Sequence, residues 1–269
     1  MSRDEEYYAN FGAQTVDEYV EMDILNSPTE MQRFAATLAI IPKDTVTLLD
    51  VGCGPGVFLH LLRDTLGIEG IGIEITEAKV EYARRALVVD VHHGQASQLP
   101  FPDRSFDTIT ALEVVEHLPF GTYEKALSEL ERVAKTWIIV TVPYREERAF
   151  TQCPYCATRF NSSYHLRSFD EEKLNNLFRN FEVVAFYKHG EYTQFYNPFR
   201  AITSRLFPPT FPRYAVCPAC GFRLAERQKE MQSPVHKSSK FKRVLHRSFT
   251  LIPKHKKNRW IIAVYKRKN

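Results

Sequence analysis

Short apolar runs alternate with segments of helical periodicity over the first 143 residues. Five runs have the length and composition of buried strands, and in order they are VTLLDVG, IEGIGIEI, LVVDVHH, TITALEV and WIIVTVP. Between them lie amphipathic segments such as 122–135, whose apolar residues at 126, 127, 130, 133 and 134 share one helical face. This alternation predicts an α/β fold, namely a doubly wound, mainly parallel sheet with helices on both faces.

The pattern changes after Pro143. A cysteine-containing stretch covers 144–167, and a capping box at Ser168, Asp170 and Glu171 predicts the start of a helix. The strand EVVAFYK follows, then a long segment without clear repetition over 190–258, then a last strand, RWIIAVYKR. The predicted organisation is an N-terminal helical cap (1–43), a sheet domain (44–143, 168–190 and 258–269) and an inserted module (144–167 and 191–257).

Hydropathy and charge restrict the partners. No apolar run approaches the ~20 residues that span a bilayer, and the first ten residues are acidic and polar, so we expect a cytoplasmic protein with unpaired thiols. The net charge of +4 is unevenly distributed, because residues 231–269 contain 12 Lys or Arg and no Asp or Glu. Such a segment attracts phosphate groups, although a solvated basic face would have the same composition.

A glycine-rich turn follows the first apolar strand. Asp50 precedes the run GCGPG, and Glu74 ends the next strand, 18 positions after Gly56. Glycines allow backbone N–H groups to approach a ligand closely at the positive end of the following helix. A carboxylate at the end of the second strand is placed to accept hydrogen bonds from ribose hydroxyls. These residues together predict a site for a nucleoside-containing cofactor.

The motifs LLDVGCGPG, IGIEIT, GQASQLPFPDRSFD and ALEVVEHL resemble, in this order, those of class I S-adenosylmethionine-dependent methyltransferases. The resemblance implies a seven-stranded Rossmann-like sheet of order 3-2-1-4-5-7-6, with RWIIAVYKR as the antiparallel seventh strand. It also implies S-adenosylmethionine as cofactor. The methionine end would lie on the glycine turn with its ammonium group at Asp50, and Glu74 would bind the ribose. Gln95 and Ala96 would lie against the adenine, and Glu113 would have a support role. The implied cofactor-binding residues are Asp50, Gly52, Cys53, Gly54, Gly56, Glu74, Gln95, Ala96 and Glu113.

His117 is the candidate catalytic residue. It follows the fourth strand, whose carboxyl end lies where substrates enter an open α/β sheet. A histidine there can act as general base for an alcohol nucleophile, and the alternative is a packing or helix-capping histidine. The fourth strand lacks the Asn-Pro-Pro-Tyr sequence that cradles an exocyclic amine, which argues against methylation of nucleobase amino groups.

Four of the five cysteines form two C-x-x-C pairs, Cys153 with Cys156 and Cys217 with Cys220. Two such pairs predict a structural Cys₄ zinc site that staples the insertion, with a redox pair as the competing interpretation. His165, close behind the first pair, could replace a cysteine ligand, face the substrate or be structural. The C-x-x-C element and the HLRSF run are similar to those of bacterial methyltransferases associated with surface-polysaccharide biosynthesis.

Three hypotheses about function remain open. The first is O-methylation of a small molecule, sugar or lipid-linked glycan intermediate, with residues 237–259 in peripheral contact with an anionic membrane at its inner face. The second is an RNA methyltransferase that docks through the zinc module and the basic tail. The third is a non-catalytic cofactor-binding scaffold protein, against which the complete glycine turn and Glu74 count.

Overall fold

The computed structural model describes residues 16–195, 211, 215, 217–222 and 254–269. The described residues divide into two compact units. The first contains 16–147, 165–190 and 258–269, and the second contains those within 148–164 and 191–257. Among the described residues, no helix has the length and apolar composition that crossing a bilayer requires. The basic segment that is predicted to contact a membrane or RNA lies outside the described residues as far as residue 253.

The elements follow the predicted order. The helices are α1 (Val16–Glu18, continuing as a π-helix over Tyr19–Leu25), α2 (Pro28–Leu38), α3 (Val57–Leu66), α4 (Glu77–Tyr82, continuing as a π-helix over Ala83–Leu87), α5 (Tyr123–Val133) and α6 (Glu171–Asn175). The strands are β1 (Leu48–Val51), β2 (Ile71–Glu74), β3 (Asp90–His93), β4 (Phe106–Leu112), β5 (Ala134–Pro143), β6 (Phe150–Gln152), β7 (Arg159–Asn161), β8 (Phe181–Phe195) and β9 (Lys254–Arg267).

Seven strands form one sheet in the order β3-β2-β1-β4-β5-β9-β8. Strands β1 to β5 pair in parallel, and β9 runs antiparallel to β5, with Trp137 opposite Lys266 and Pro143 opposite Trp260. The predicted doubly wound α/β sheet with an antiparallel last strand is therefore confirmed. The order reverses beside β1, so the carboxyl ends of β1, β2 and β4 open onto the crevice where such sheets bind ligands.

The sheet has an apolar core on each face, because successive residues of a strand point to opposite sides. Leu49 of β1 packs in a cluster that includes residues of α5 and α6. Its neighbour Leu48 packs in the other cluster, with residues of α2, α3 and α4. The apolar positions predicted for α5, including Leu127 and Leu130, are buried in the first cluster. Helices on both faces leave the strand ends as the accessible edge.

Local signals explain most helix ends. Helix α3 ends at Gly67, which has φ of 68°, and Asp170 caps α6 by accepting a hydrogen bond from the N–H of Lys173. Thr76 occupies the N-cap position of α4, but its side chain makes no capping hydrogen bond. Its N–H instead donates to the Glu74 carboxylate, which holds the strand end against the helix start.

The second unit is described only in part. Strands β6 and β7 pair antiparallel, and its described core contains Cys153, Phe160, Ala215 and Cys217, with Phe211 and Phe222 packed against them. The described part of this core thus contains four buried residues, of which two are cysteines.

We expect Asp107→Asn to lower the free energy of unfolding by about 1–2 kcal/mol at pH 7. The Asp107 carboxylate, 15% exposed, accepts from the N–H groups of Val46 and Thr47 and from the Thr47 hydroxyl, and it lies 3.1 Å from Lys135 Nζ. Burial opposes ionisation, but these bonds outweigh it and lower the pKa of Asp107 to about 2.

Because the pKa is lowered by folding, this stabilisation is present above the unfolded value of about 3.8 and is lost as pH falls from there towards 2. Urea unfolding between pH 7 and pH 3 measures the difference between the two proteins. Asp64→Asn, at an exposed pair with Arg63, is the control and should change stability by less than about 0.5 kcal/mol. If the difference in unfolding free energy between Asp107→Asn and the wild-type protein stayed constant down to pH 3, the lowered pKa of Asp107 would be contradicted.

Candidate functional site

The glycine turn after β1 has the conformation that its sequence predicts. Gly52 and Gly54 have φ of 73° and 58°, in the left-handed region that residues with side chains avoid. A Cβ on Gly52 would lie 2.6 Å from Val114 Cγ2, so packing also excludes a side chain there. A Cβ on Gly54 would meet no atom within 4 Å. Gly54 thus presents its backbone to open space at the end of the strand.

The Glu74 carboxylate connects the ends of β2 and β1. Its Oε2 accepts a hydrogen bond from the N–H of Gly54 and its Oε1 from the N–H of Thr76, both at 2.9 Å. The side chain is buried next to the glycine turn. Each carboxylate oxygen accepts more than one hydrogen bond, so Glu74 retains capacity for two hydroxyl groups of a ligand.

Asp50, in β1, is almost fully buried and accepts a hydrogen bond of 2.6 Å from the Thr110 hydroxyl of β4. Burial raises the pKa of Asp50 to about 7, although Thr110 and the positive charge of Arg33 oppose the rise. A carboxylate in such surroundings gains stability when a cationic ligand approaches. This property fits the predicted partner, an ammonium group.

The remaining predicted cofactor residues lie around the same edge. Cys53 packs in the core, and burial raises the pKa of its thiol well above the usual value, which argues against a nucleophilic role. Gly56 begins α3 with φ of 81°. Gly94 donates its N–H to the Glu74 carbonyl. Gln95, which is exposed, and Ala96, which is half-buried, directly follow Gly94 in the chain.

A group of buried charges lies beyond β4. Glu113 accepts a hydrogen bond of 2.9 Å from Trp260 Nε1, and burial raises its pKa to about 7. Glu116 is fully buried, and burial followed by repulsion from Glu113 raises its pKa well above the usual value. Arg33 of α2 is the cation that acts on both carboxylates, and it also pairs with Glu30 at 2.6 Å. The carboxylates exceed the cations in this group.

His117 and His165 are in contact. Their ring centroids are 4.7 Å apart at an interplanar angle of 74°. His117 Nε2 lies 3.9 Å from Glu116 Oε1, and His165 Nδ1 lies 2.6 Å from Glu146 Oε2. The structure therefore places His165 in a polar cluster with the candidate catalytic residue.

Backbone contacts hold the HLRSF segment against the loop after β4. The N–H groups of Leu166 and Arg167 donate to the Glu116 carbonyl. The Arg167 guanidinium donates to the Leu118 carbonyl and lies 3.7 Å from the centre of the Tyr123 ring. Main-chain hydrogen bonds therefore hold the HLRSF segment next to His117, and the contacts of Arg167 with Leu118 and Tyr123 stabilise this position.

In the second unit, the four predicted cysteines come together. The Sγ atoms of Cys153 and Cys220 are 3.7 Å apart, those of Cys156 and Cys217 are 3.5 Å apart, and all four lie within 4.8 Å of one another. Sulfurs at about 2.3 Å from a tetrahedral zinc ion would be about 3.8 Å apart. The arrangement therefore has the size of a zinc–thiolate centre and contains four cysteines without a histidine.

The two cysteine turns have the same backbone geometry. Ala157 donates its N–H to the Cys153 carbonyl, and Gly221 donates to the Cys217 carbonyl. Both residues have positive φ, 58° and 71°, directly after the second cysteine of each pair. Each turn thus presents two sulfurs to the same side, as a single tetrahedral ion requires.

Several residues of these sites carried no signal in the sequence. Arg33 lies outside every motif, Glu146 precedes the first cysteine pair by seven residues, and an acidic loop residue such as Glu116 is usually solvated. Trp260 lies on the last strand. Only burial and contacts across the fold single these residues out.

Comparison with known proteins agrees with this geometry. Residues 49–137, about a third of the chain, match the family model described as methyltransferase domain. A protein of Mycolicibacterium smegmatis, named as a probable S-adenosylmethionine-dependent methyltransferase, is 33% identical over 141 residues, which are 51% of this chain and 52% of that protein. The 27-O-demethylrifamycin SV methyltransferase of Amycolatopsis mediterranei is 39% identical over 79 residues, 27% of this chain and 29% of that enzyme.

The chain thus spans about half the length of the first relative, and less of the second. A solved S-adenosylmethionine-dependent methyltransferase of Thermotoga maritima superposes on this chain with a TM-score of 0.54 and 18% identity. The superposition covers 98% of this chain and 99% of that one, and at this identity it shows similarity of fold alone. The sheet order and the glycine turn agree with the match of residues 49–137 to the methyltransferase domain model.

Proposed function

We propose that this chain transfers a methyl group from S-adenosylmethionine to a hydroxyl oxygen of a small molecule, a sugar or a lipid-linked glycan intermediate. The observation that carries the proposal is the cradle of Gly54 and Glu74, with Asp50 beside it. The open space in front of Gly54 accommodates the methionine moiety, and Glu74 accepts the two ribose hydroxyls. Asp50 supports the ammonium group, and Gln95 with Ala96 lies against the adenine.

The methyl group of a sulfonium needs little acid–base assistance, because the neutral thioether is a good leaving group. The protein mainly aligns the acceptor oxygen, the methyl carbon and the sulfur, an effect worth up to about 7–11 kcal/mol. His117, in the turn after β4, is the residue placed to promote loss of the hydroxyl proton, with general base as the simplest role. Glu113 is a support residue, since Trp260 holds its carboxylate.

Small-molecule acceptors are favoured by the relatives, and some of their names specify O-methylation. One relative is named for O-demethylrifamycin, and others are named as demethylmenaquinone and 2-methyl-6-phytyl-1,4-hydroquinone methyltransferases. These names support a small-molecule acceptor for this chain. The membrane hypothesis depends on residues 237–259 and the RNA hypothesis on the basic tail and the zinc module, and residues 237–253 lie outside the described residues.

Zinc bound by Cys153, Cys156, Cys217 and Cys220 is the second part of the proposal. Its support is the sulfur spacing and the paired turns. Four thiolates leave no position for substrate, so the ion has a structural role.

Methyl-labelled S-adenosylmethionine incubated with the protein and fractionated cell extract tests the function. Label in small-molecule, sugar or lipid fractions supports the proposal. Label confined to RNA would replace it with the docking hypothesis, and cofactor binding without label in any fraction would favour the non-catalytic scaffold.

We expect Gly54→Ala to weaken binding of S-adenosylhomocysteine at least tenfold, because a methyl group at this position enters the space assigned to the methionine moiety. Gly67→Ala is a matched control, since Gly67 also has positive φ, 68°, and its Cβ would likewise meet no atom within 4 Å. Both changes should cost about 1 kcal/mol of stability. Calorimetric titration and urea unfolding compare the two, and equal affinity of both variants would remove Gly54 from the site.

A further inference from the structure

Glu116, His117 and His165 form a compact cluster, here called the Glu116 cluster, in the loops that follow β4 and β7. One ligand atom of each side chain lies within 4.8 Å of the others. Glu116 and His117 are adjacent in the turn after β4, while His165 comes from the HLRSF segment. Main-chain hydrogen bonds from Leu166 and Arg167 to the Glu116 carbonyl fix the two loops together.

The carboxylate of Glu116 needs a partner. The side chain is fully buried, and neither oxygen has a hydrogen-bond partner on another residue that the structure describes. Burial of a carboxylate without compensation is costly, so native structures pair such groups with donors, cations or metal ions. The nearest ring nitrogen, His117 Nε2, is 3.9 Å away, too far for a hydrogen bond but suited to two groups that share an ion.

The charges around the cluster favour a cation. Glu113 and Glu146 add negative charge beside Glu116, and Arg33 is the cation that acts on it. Arg33 is already paired with Glu30 at 2.6 Å. A divalent ion between Glu116 and the two histidines would offset the excess of carboxylates.

His165 has the environment of a metal ligand. Its Nδ1 lies 2.6 Å from Glu146 Oε2, so the carboxylate orients the ring and fixes the proton on Nδ1. Nε2 is then the nitrogen that coordinates an ion. Histidine ligands of metal ions almost always have such a carboxylate or carbonyl partner on the other nitrogen.

The distances fit one ion. Ligand nitrogens and oxygens lie about 2.0–2.2 Å from a bound transition-metal or zinc ion, so adjacent ligands of a tetrahedral or octahedral ion are about 2.8–3.6 Å apart. The three atoms of the cluster, all within 4.8 Å of one another, would have to approach by about an ångström to share an ion. Two imidazoles and one carboxylate suit Mn²⁺, Fe²⁺, Co²⁺ or Zn²⁺ better than Ca²⁺ or Mg²⁺ and leave coordination positions open.

We propose that Glu116, His117 and His165 bind a divalent transition-metal or zinc ion whose open positions take the hydroxyl oxygen of the methyl acceptor. This inference rests on the proposed function for its acceptor, but the metal site itself does not. In this arrangement His117 is a ligand, and coordination replaces a general base by lowering the pKa of the hydroxyl group. The acceptor class is accordingly one with a hydroxyl group that can coordinate a metal.

The chemical step balances without another reactant. The hydroxyl group loses its proton to water, and an electron pair of the oxygen forms the bond to the methyl carbon. The bond between that carbon and the sulfonium sulfur breaks, with its electrons remaining on sulfur. The products are the methyl ether, neutral S-adenosylhomocysteine and one proton.

Mn²⁺ is the probe that separates this site from the cysteines, because thiolates bind Mn²⁺ poorly whereas imidazole and carboxylate bind it well. The full chain is titrated with Mn²⁺ in the presence of S-adenosylhomocysteine, and the electron paramagnetic resonance signal of free Mn²⁺ measures binding. The variants are Glu116→Gln and His165→Ala. The matched control is His60→Gln, at a histidine–carboxylate pair on α3 where His60 Nε2 lies 3.4 Å from Asp64 Oδ2.

We expect one Mn²⁺ per chain in the wild-type protein and in His60→Gln, and at least tenfold weaker binding in both cluster variants, with S-adenosylhomocysteine binding retained as evidence of folding. Absence of Mn²⁺ binding by the wild-type protein at millimolar concentration, or equal binding by the folded cluster variants, would overturn the site. If the cluster binds Mn²⁺ but the protein transfers no methyl group, the proposed function is contradicted and the metal site is not. If the protein transfers methyl groups and its cluster variants bind Mn²⁺ normally, the metal site is contradicted and the proposed function is not.

Discussion

Replacement of Cys217 by serine should remove the zinc ion and unfold the second unit. Structural zinc contributes on the order of 10 kcal/mol to folding of small metal-dependent units, and the described core of this unit contains few apolar residues. Serine lacks the thiolate that completes the tetrahedron, so the two cysteine turns lose the ion that joins them. We expect zinc content to fall by about one equivalent and residues 148–164 to become rapidly cleaved by protease.

Cys53→Ala is the matched control, because Cys53 is the fifth cysteine and packs in the first unit. Its zinc content should equal that of the wild-type protein. Substitution with Co²⁺ adds a specific readout, since thiolate-to-cobalt charge-transfer absorption reports the cysteine site even if the Glu116 cluster also takes up cobalt. If Cys217→Ser had the same thiolate-to-cobalt absorption as the wild-type protein, a Cys₄ centre would be ruled out. Loss of this absorption in Cys53→Ala would rule it out as well.

Glu74→Gln should weaken binding of S-adenosylhomocysteine by about 10²–10⁴-fold. The ribose hydroxyls donate to a charged carboxylate in the proposed complex, and each hydrogen bond to a charged group is worth about 1.5–3 kcal/mol. The amide has one oxygen in place of two, so it cannot accept from Gly54 and Thr76 as the carboxylate does. The glycine turn would therefore lose part of its support in the same variant.

Glu77→Gln is the control, since Glu77 lies three residues later in α4 and its side chain is 59% exposed. Calorimetric titration should give wild-type affinity for this variant. Unfolding experiments on both variants separate loss of binding from loss of structure. A change of affinity below about threefold in folded Glu74→Gln would mean that the ribose is held elsewhere.

The cofactor half of the candidate site was accessible from the sequence because its determinants are local. Apolar runs that alternate with helices specify a parallel sheet, and a glycine turn after the first strand lies beside the end of the second in such a sheet. The hydrogen bond from Gly54 to Glu74 joins these two strand ends, as the pattern implied. The cofactor assignment itself stays a prediction.

The cysteine pairs were only half determined by local sequence. The C-x-x-C spacing predicts two turns that each present two sulfurs, and Ala157 and Gly221 complete those turns with positive φ. That the pairs meet depends on chain segments 61 residues apart. The four sulfurs lie together as expected, and the ion between them stays a prediction.

The Glu116 cluster depends on tertiary structure. Hydrophobic periodicity reports which face of an element is buried, and it carries no information about which distant loop packs against a given turn. An acidic loop residue such as Glu116 is usually solvated, and the sequence leaves His165 as a cysteine replacement, a substrate-facing residue or a structural histidine. Only the fold buries that carboxylate and brings His165, 48 residues further along the chain, against His117. The sequence alone thus specified the sheet and its cofactor edge through local periodicity and turn chemistry, whereas long-range packing determined where the buried charges meet.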